Sequence, residues 1–328
     1  RLSQDLYDST LDQTEYLTSI SNSYIVIDEG VAWDTSPSQN KYYDTTTTTD
    51  VARQITSLIP DTVMPYITSA VLDMTNETLK LGFHKKIMTT SVVLAELKIQ
   101  SDSSSSELTE SFDFSSEYAT TIVPESDNNY VELQLTSKAF NQMKQSTYLG
   151  LSQTEAFVAF TFNFVTDKAF VPNKVENILG SNAFALTGYV PDYVPPYLVS
   201  WYPDMHDDRL ILEFSEPVNV DVLDVTDILL YSDDETELQS TFSVQLSQAS
   251  IYDVDITTVT LQLTRDESIS VKSKAPLCQR RTTCYLSHTS ALVRDTNSFL
   301  DNGVIVNNTI LAANAVMSSE DFIEDRKG

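Results

Sequence analysis

Apolar residues recur at every second position in several short stretches of the chain. Leu79, Leu81 and Phe83 alternate with Lys80 and Gly82, Leu210, Leu212 and Phe214 with Ile211 and Glu213, and Val131, Leu133 and Leu135 with Glu132, Gln134 and Thr136. A period of two turns one face of each stretch toward a core and the other toward solvent, which predicts half-buried β-strands. Residues 157–164 (Phe-Val-Ala-Phe-Thr-Phe-Asn-Phe) are almost continuously apolar, as a central strand can be. Helical spacing shows in Thr136–Ser146, where Phe140, Met143 and Lys144 fall at i, i+3 and i+4 and Ser137 is placed to cap the start. Gln4 to Leu11 has a similar look. Many short strands divided by polar turns predict an all-β chain of antiparallel sheets packed as sandwiches.

The same pattern is written more than once. Asp61-Thr62-Val63-Met64-Pro65-Tyr66 returns as Asp192-Tyr193-Val194-Pro195-Pro196-Tyr197, and Leu79-Lys80-Leu81-Gly82-Phe83 as Leu210-Ile211-Leu212-Glu213-Phe214, both 131 positions later (Pro65 to Pro196, Phe83 to Phe214). Val131–Thr136 returns as Val259–Thr264 at a slightly smaller offset, as expected if insertions fall in loops. The back half occurs a third time at the start: Leu2-Ser3 parallels Leu135-Thr136 and Leu263-Thr264, and Val31 before Asp34 parallels Val165 before Asp167 and Val293 before Asp295. The expected organisation is therefore the C-terminal half of one unit over 1–61, complete units of about 130 residues over 62–191 and 192–316, and a charged tail or linker over 317–328. Half a sandwich would leave strand edges and an apolar face bare, so the first unit is expected to be completed by a longer precursor or by a neighbouring subunit.

Charge and composition narrow the function. The 328 residues carry 20 Lys and Arg against 47 Asp and Glu, a net charge of −27. Nucleic acid and anionic membrane surfaces are disfavoured partners, because both are held by cationic side chains. Only 7 glycines are present, and none form a phosphate-cradling loop. No apolar run is long enough to span a bilayer. Cys278 and Cys284, the only cysteines, are too few for a metal site and read as a disulfide-closed loop, with two free thiols as the alternative. Sequons at Asn76 and Asn307 are candidate glycosylation sites, and the runs Thr45–Thr49 and Ser103–Ser106 read as solvated loops or O-glycosylated segments.

Pro195-Pro196-Tyr197-Leu198-Val199-Ser200, then Leu210-Ile211-Leu212-Glu213-Phe214-Ser215-Glu216-Pro217-Val218, then Leu223-Asp224-Val225-Thr226-Asp227-Ile228, resembles a tandem Ig-like repeat family of large secreted or cell-surface proteins of bacteria, algae and protists. In the preceding unit His84-Lys85-Lys86-Ile87 stands where the pattern has Ser-Glu-Pro-Val. The resemblance implies Ig-like β-sandwiches serving as spacers, stalks or building blocks of surface filaments, including algal flagellar hairs. It carries no catalytic residues.

The residues themselves offer little catalytic chemistry. His84, His206 and His288 do not recur between units, and none stands in a spacing that suggests a nucleophile and its base, so no enzyme is expected. Asp192, Asp204, Asp207 and Asp208 cluster near a unit junction and are candidate calcium ligands, with Asp221, Asp224 and Asp227 a second acidic group. Against that, Asp commonly forms turns through its own side chain. Tyr42 and Tyr43, Tyr193 and Tyr197, and Trp201 and Tyr202 could form a subunit-contact or sugar-binding surface. The expectation is an extracellular or cell-surface structural protein that associates with itself or with neighbouring repeats and requires no cofactor. A calcium-rigidified adhesion protein and a carbohydrate-binding surface module are the alternatives.

Overall fold

The computed structural model describes residues 19–25, 33–39, 53–104, 106, 109–122, 129–146, 149–150, 152–232, 242–296, 311–312 and 323. Strands dominate, and two α-helices are present among the described residues. Before the first sandwich, β1 (Tyr24–Ile25) pairs antiparallel with β2 (Arg53–Gln54).

The first sandwich begins after Pro65. Its strands are β3 (Ile67–Asp73), β4 (Thr78–Phe83), β5 (Ile87–Met88), β6 (Leu97–Gln100), β7 (Ser111–Asp113), β8 (Ala119–Ile122) and β9 (Tyr130–Leu135), then β10 (Phe157–Phe160), β11 (Thr166–Asp167), β12 (Phe184–Ala185) and β13 (Gly188–Val190). One sheet has the order β13-β3-β4-β9-β8 and faces a second of order β12-β10-β6-β7, while β5 and β11 form a short pair at the base. Alternation does what the sequence predicts: in β9, Val131, Leu133 and Leu135 are buried while their neighbours are half-exposed. Leu72, Leu81 and Leu133 from one sheet share a core with Ile99 and Val158 from the other. Phe83 and Phe160 meet across it, with ring centroids 6.3 Å apart.

Helix α1 (Ser137–Gln145) follows β9. Thr136, rather than the expected Ser137, caps it: Thr136 keeps an extended backbone and its hydroxyl accepts from the Ala139 N–H. The apolar run 157–164 also differs from expectation, since the strand stops at Phe160. Thr161 turns the chain by accepting from Asn163 and Phe164, which leaves Phe162 exposed under the Lys174 ammonium.

The second sandwich repeats the plan. Its strands are β14 (Leu198–Asp204), β15 (Arg209–Phe214), β16 (Val218–Asn219), β17 (Leu229–Tyr231), β18 (Ser243–Gln245), β19 (Ser250–Asp255), β20 (Thr258–Gln262), β21 (Tyr285–Ser287), β22 (Arg294–Asp295) and β23 (Leu311–Ala312). The sheets β14-β15-β20-β19 and β18-β17-β21-β23 enclose a separate core holding Trp201, Leu212, Phe214 and Leu261, with β16 and β22 paired at the base. Each core falls within one of the two long repeats. The correspondence reaches the hydrogen bonds: His84 N donates to Tyr66 O as Ser215 N does to Tyr197 O, and His84 Nδ1 accepts from Tyr66 N where the Ser215 hydroxyl accepts from Tyr197 N.

Helix α2 (Arg265–Ser273) was not predicted, although Thr264-Arg265-Asp266-Glu267 is a capping-box sequence. The Glu267 carboxylate accepts from Thr264 N and Oγ1 and from the backbone N–H of Ser247, Gln248 and Ala249 at 2.7–3.2 Å. Burial raises its pKa, but these donors outweigh burial and hold the carboxyl below its ordinary value. Glu267 thus ties the helix start to the loop between β18 and β19. Its contribution is present at neutral pH and is lost as pH falls through the lowered folded value. Glu267→Ala is expected to cost about 3 kcal/mol, the loss of several charge-assisted bonds at once, read as a lower urea midpoint.

Candidate functional site

The densest buried charge in the described structure lies where the two sandwiches meet. Lys144, next to last in α1, sits on the apolar face of its helix with Phe140 and Met143. Its side chain is only 4% exposed. The Nζ atom leaves the first sandwich altogether and bonds Asp192 Oδ2 at 2.7 Å, Asp295 Oδ1 at 3.0 Å and Glu216 Oε2. Asp192 belongs to the connecting segment, Glu216 to the turn before β16, and Asp295 to β22. Nearby, Asn141 Nδ2 reaches Ser215 O at 3.5 Å.

Local structure positions each carboxylate. Asp192 Oδ1 accepts from Val194 N at 2.9 Å, an Asx-type turn that fixes the connecting segment. Asp295 lies opposite Val218 in the β16–β22 pair, which sets its carboxylate beside the Glu216 turn. The three ligand oxygens lie within 4.8 Å of one another.

Three carboxylates around one ammonium cannot all stay ionised cheaply in a buried site. Burial opposes the charge on Lys144, but Glu216 and Asp295, with hydrogen bonds to Asp192 and Glu216, raise its pKa above the ordinary lysine value. For Glu216, burial dominates over the attraction of Lys144, and Asp295 and Asp192 add repulsion, so its carboxyl is pushed up to about 8. Among the described residues the Glu216 Oε1 atom is buried without a hydrogen-bond partner, which suits a protonated acid better than a carboxylate. Burial and the Asp192 charge raise Glu77, with Lys144 opposing. Burial, then Asp192, pushes the Tyr189 hydroxyl up to about 12 while it donates to Gly150 O. A cavity with about 10 Å³ for solvent lies against Lys144, Tyr189 and Asp192, room for roughly one water.

The base of the first sandwich has the same geometry with a different charge. Lys85 occupies the position of Glu216 and supplies the cation itself, bonding Asp61 Oδ2 at 2.8 Å, Asp167 Oδ2 at 2.6 Å and Val63 O. Asp61 Oδ1 accepts from Val63 N as Asp192 does from Val194 N. Asp167 lies opposite Ile87, as Asp295 lies opposite Val218.

Most residues singled out as calcium ligands are not brought together. Asp192 is in the Lys144 cluster. Asp204 Oδ1 instead caps the β14–β15 turn by accepting from His206 N and Asp207 N, Asp207 lies 4.0 Å from Arg209, and Asp208 bonds Ser268 and Lys272. Asp224 caps a turn at Thr226 and Asp227 accepts from Thr289. Among the described residues, the group with ligand atoms close enough for a metal is Asp192, Glu216 and Asp295, and an ammonium stands beside it. Turn formation takes Asp204 and Asp224, whose carboxylates accept from backbone two or three residues on, while Asp207, Asp208 and Asp227 are taken by Arg209, by Ser268 and Lys272, and by Thr289.

Cys278 and Cys284 are disulfide-bonded. Asn76 is exposed, its amide donating to Asp73, while Asn307 lies outside the described residues, as do Tyr42, Tyr43, Thr45–Thr49 and Gln4 to Leu11. Ser103, Ser104 and Ser106 are exposed. Trp201 is buried and packs the core, whereas Tyr193 and Tyr197 are exposed. His84 stacks on Tyr66 with centroids 3.9 Å apart, and burial followed by the Lys85 charge lowers its pKa.

No family model and no curated protein sequence matches the chain. Solved structures that are loosely similar include the following two. The N-terminal part of the bacterial S-layer protein SbsC aligns at TM-score 0.25 and 10% identity over 77% of this chain and 44% of that one. The complex of Dpr2 Ig1-Ig2 with DIP-Theta Ig1-Ig3 aligns at TM-score 0.16 and 8% identity over 75% of this chain and 100% of the other. The chain thus spans less than half of the S-layer chain, and scores this low bear no weight on function.

Two outcomes follow from the charges. Lys144→Ala leaves the buried Asp192 and Asp295 carboxylates without their cation and is expected to cost about 3–5 kcal/mol, read by thermal unfolding. Glu216 holds its proton to about 8 when folded but only to about 4.5 when unfolded, so its contribution is full below 4.5 and lost as pH rises through 8. The loss proceeds at no more than about 1.4 kcal/mol per pH unit. Glu216→Gln, neutral throughout, is expected to remove that slope and to melt above the wild type in alkaline buffer.

Proposed function

We propose that this chain is a non-enzymatic structural protein of the cell exterior, made of β-sandwich modules fastened end to end in a surface filament, appendage or stalk. The observation that carries this reading is the Lys144 ammonium, which belongs to one sandwich and is enclosed by carboxylates of the next and of the connecting segment. A flexible tether between independent domains needs no buried cross-domain charge. A buried ammonium, by contrast, needs a joint of fixed geometry, because burying it is tolerable only when every partner is in place. The duplicated base of the first sandwich supports modular construction. Exposed Tyr66, Tyr193 and Tyr197 with Met64 and Val194 supply apolar surface for contact with other subunits. Among the described residues no helix is long and apolar enough to cross a membrane.

The calcium-rigidified adhesion reading is weaker, because an ammonium already stands among the carboxylates that could hold the ion. A sugar-binding face loses Trp201, which is buried.

Small-angle scattering of the full chain is expected to show one narrow inter-sandwich arrangement that broadens in Lys144→Ala and is indifferent to a chelator. Loosening of the wild type on chelation would favour calcium instead. Electron microscopy of native material with antibodies to the chain is expected to label ordered surface fibres. Label confined to dispersed soluble monomers would overturn the filament reading.

A further inference from the structure

The second sandwich carries the same peg at its own far end. Lys144 and Lys272 each stand eight residues after a capping threonine, Thr136 or Thr264, and each is next to last in its helix. The chain leaves both sandwiches in the same way. Val190 O accepts from Met74 N at 2.9 Å, and Ile323 O accepts from Met205 N at 2.9 Å, both carbonyls coming from a segment parallel to the first strand. Val190 is followed by Pro191-Asp192, and Ile323 by Glu324-Asp325. The turn residues beside the two lysines also correspond: Glu77 and Asp208 are both left-handed, with φ of 54° and 57°. What differs is cover. Lys144 is 4% exposed beneath the second sandwich, whereas Lys272, bonded to Asp208 at 2.7 Å, is 29% exposed.

We propose that the Lys272 end of the second sandwich is a docking surface for a further module whose base presents three carboxylates, as Asp192, Glu216 and Asp295 do. The inference rests on reading the Lys144 cluster as a module joint. The bases on the page indicate which module fits. A base with glutamate at the Glu216 position takes its cation from the preceding helix. A base with lysine there, as at Lys85, carries its own, and the residue eight after Ser3, the counterpart of Thr136, is Leu11 rather than lysine. The first-sandwich base of a second copy of this chain would set Lys85 against Lys272 and is the wrong occupant. The right one is a module like the second sandwich, which begins at Asp192 and whose pairing reaches Ile323, beyond the end expected at 316.

The test extends the full chain, joining residues 193–328 after Asp325 so that another copy of the second sandwich follows at the equivalent position. Limited proteolysis then compares the new junction with the native one at 191–197 in the same molecule. The new junction is expected to resist cleavage like the native one, and Lys272→Ala to raise its cleavage about a hundredfold, in line with removing the partner of a buried charge. Glu216→Lys in the appended copy alone should also open it. Combining that change with Lys272→Leu, so that a base carrying its own lysine meets a helix position holding leucine, the combination the sequence has at positions 85 and 11, should close it again. If the new junction is cut alike in all variants while Lys144→Ala opens the native one, the docking inference falls and the joint reading stands. If Lys144→Ala leaves the native junction closed, the joint reading itself falls.

Discussion

One buried positive charge must find all of its partners at once, and that requirement fixes the relation between the two sandwiches. The Lys144 ammonium is held by carboxylates from the connecting segment, a turn and a base strand of the next unit. Each alone would repay little of the desolvation of the ammonium, and the cluster is favourable only when complete. The surrounding elements serve that completeness. Thr136 starts the helix at the residue that turns Lys144 inward with Phe140 and Met143. The Asp192 turn stiffens the connection, and the β16–β22 pair presents Asp295.

The two bases solve one problem with opposite charges. Asp61 and Asp167 enclose Lys85, while Asp192 and Asp295 flank Glu216 and admit a lysine from outside. The backbone frame is shared down to the His84 and Ser215 contacts, so the exchange at one position decides whether a base is self-sufficient or dependent on its neighbour. Retention of a proton by Glu216 belongs to the dependent arrangement, because the group is buried and this base has one carboxyl more than the Lys85 base for the same single cation.

The strands were legible because their faces differ: Leu79, Leu81 and Phe83, and their counterparts at Leu210, Leu212 and Phe214, are buried as their alternation requires. The repeat was legible for the same reason, and Asp167 and Asp295 already stood out after their valines. Lys144 was visible at helical spacing beside Phe140 and Met143, and a lysine on an apolar face was the available signal of a buried ion pair. The acidic cluster was misassigned because sequence proximity groups Asp204, Asp207 and Asp208, whereas the fold spends them on a turn and on α2 and gathers residues that are far apart in the chain. The end of β10 was hidden because Phe162 is apolar yet exposed.

The parallel pairing of β13 with β3 has a mechanical consequence. Pulling on the two ends of the first unit draws the start of β3 one way and the end of β13 the other. The bond from Thr187 N to Ala70 O and the bond from Met74 N to Val190 O are then strained together in shear, not peeled one after another. Thr75 Oγ1, bonded to Pro191 O, extends the same clamp to the edge of the Asp192 turn. A unit wired in this way transmits tension across its first and last strands while the core between them stays unloaded.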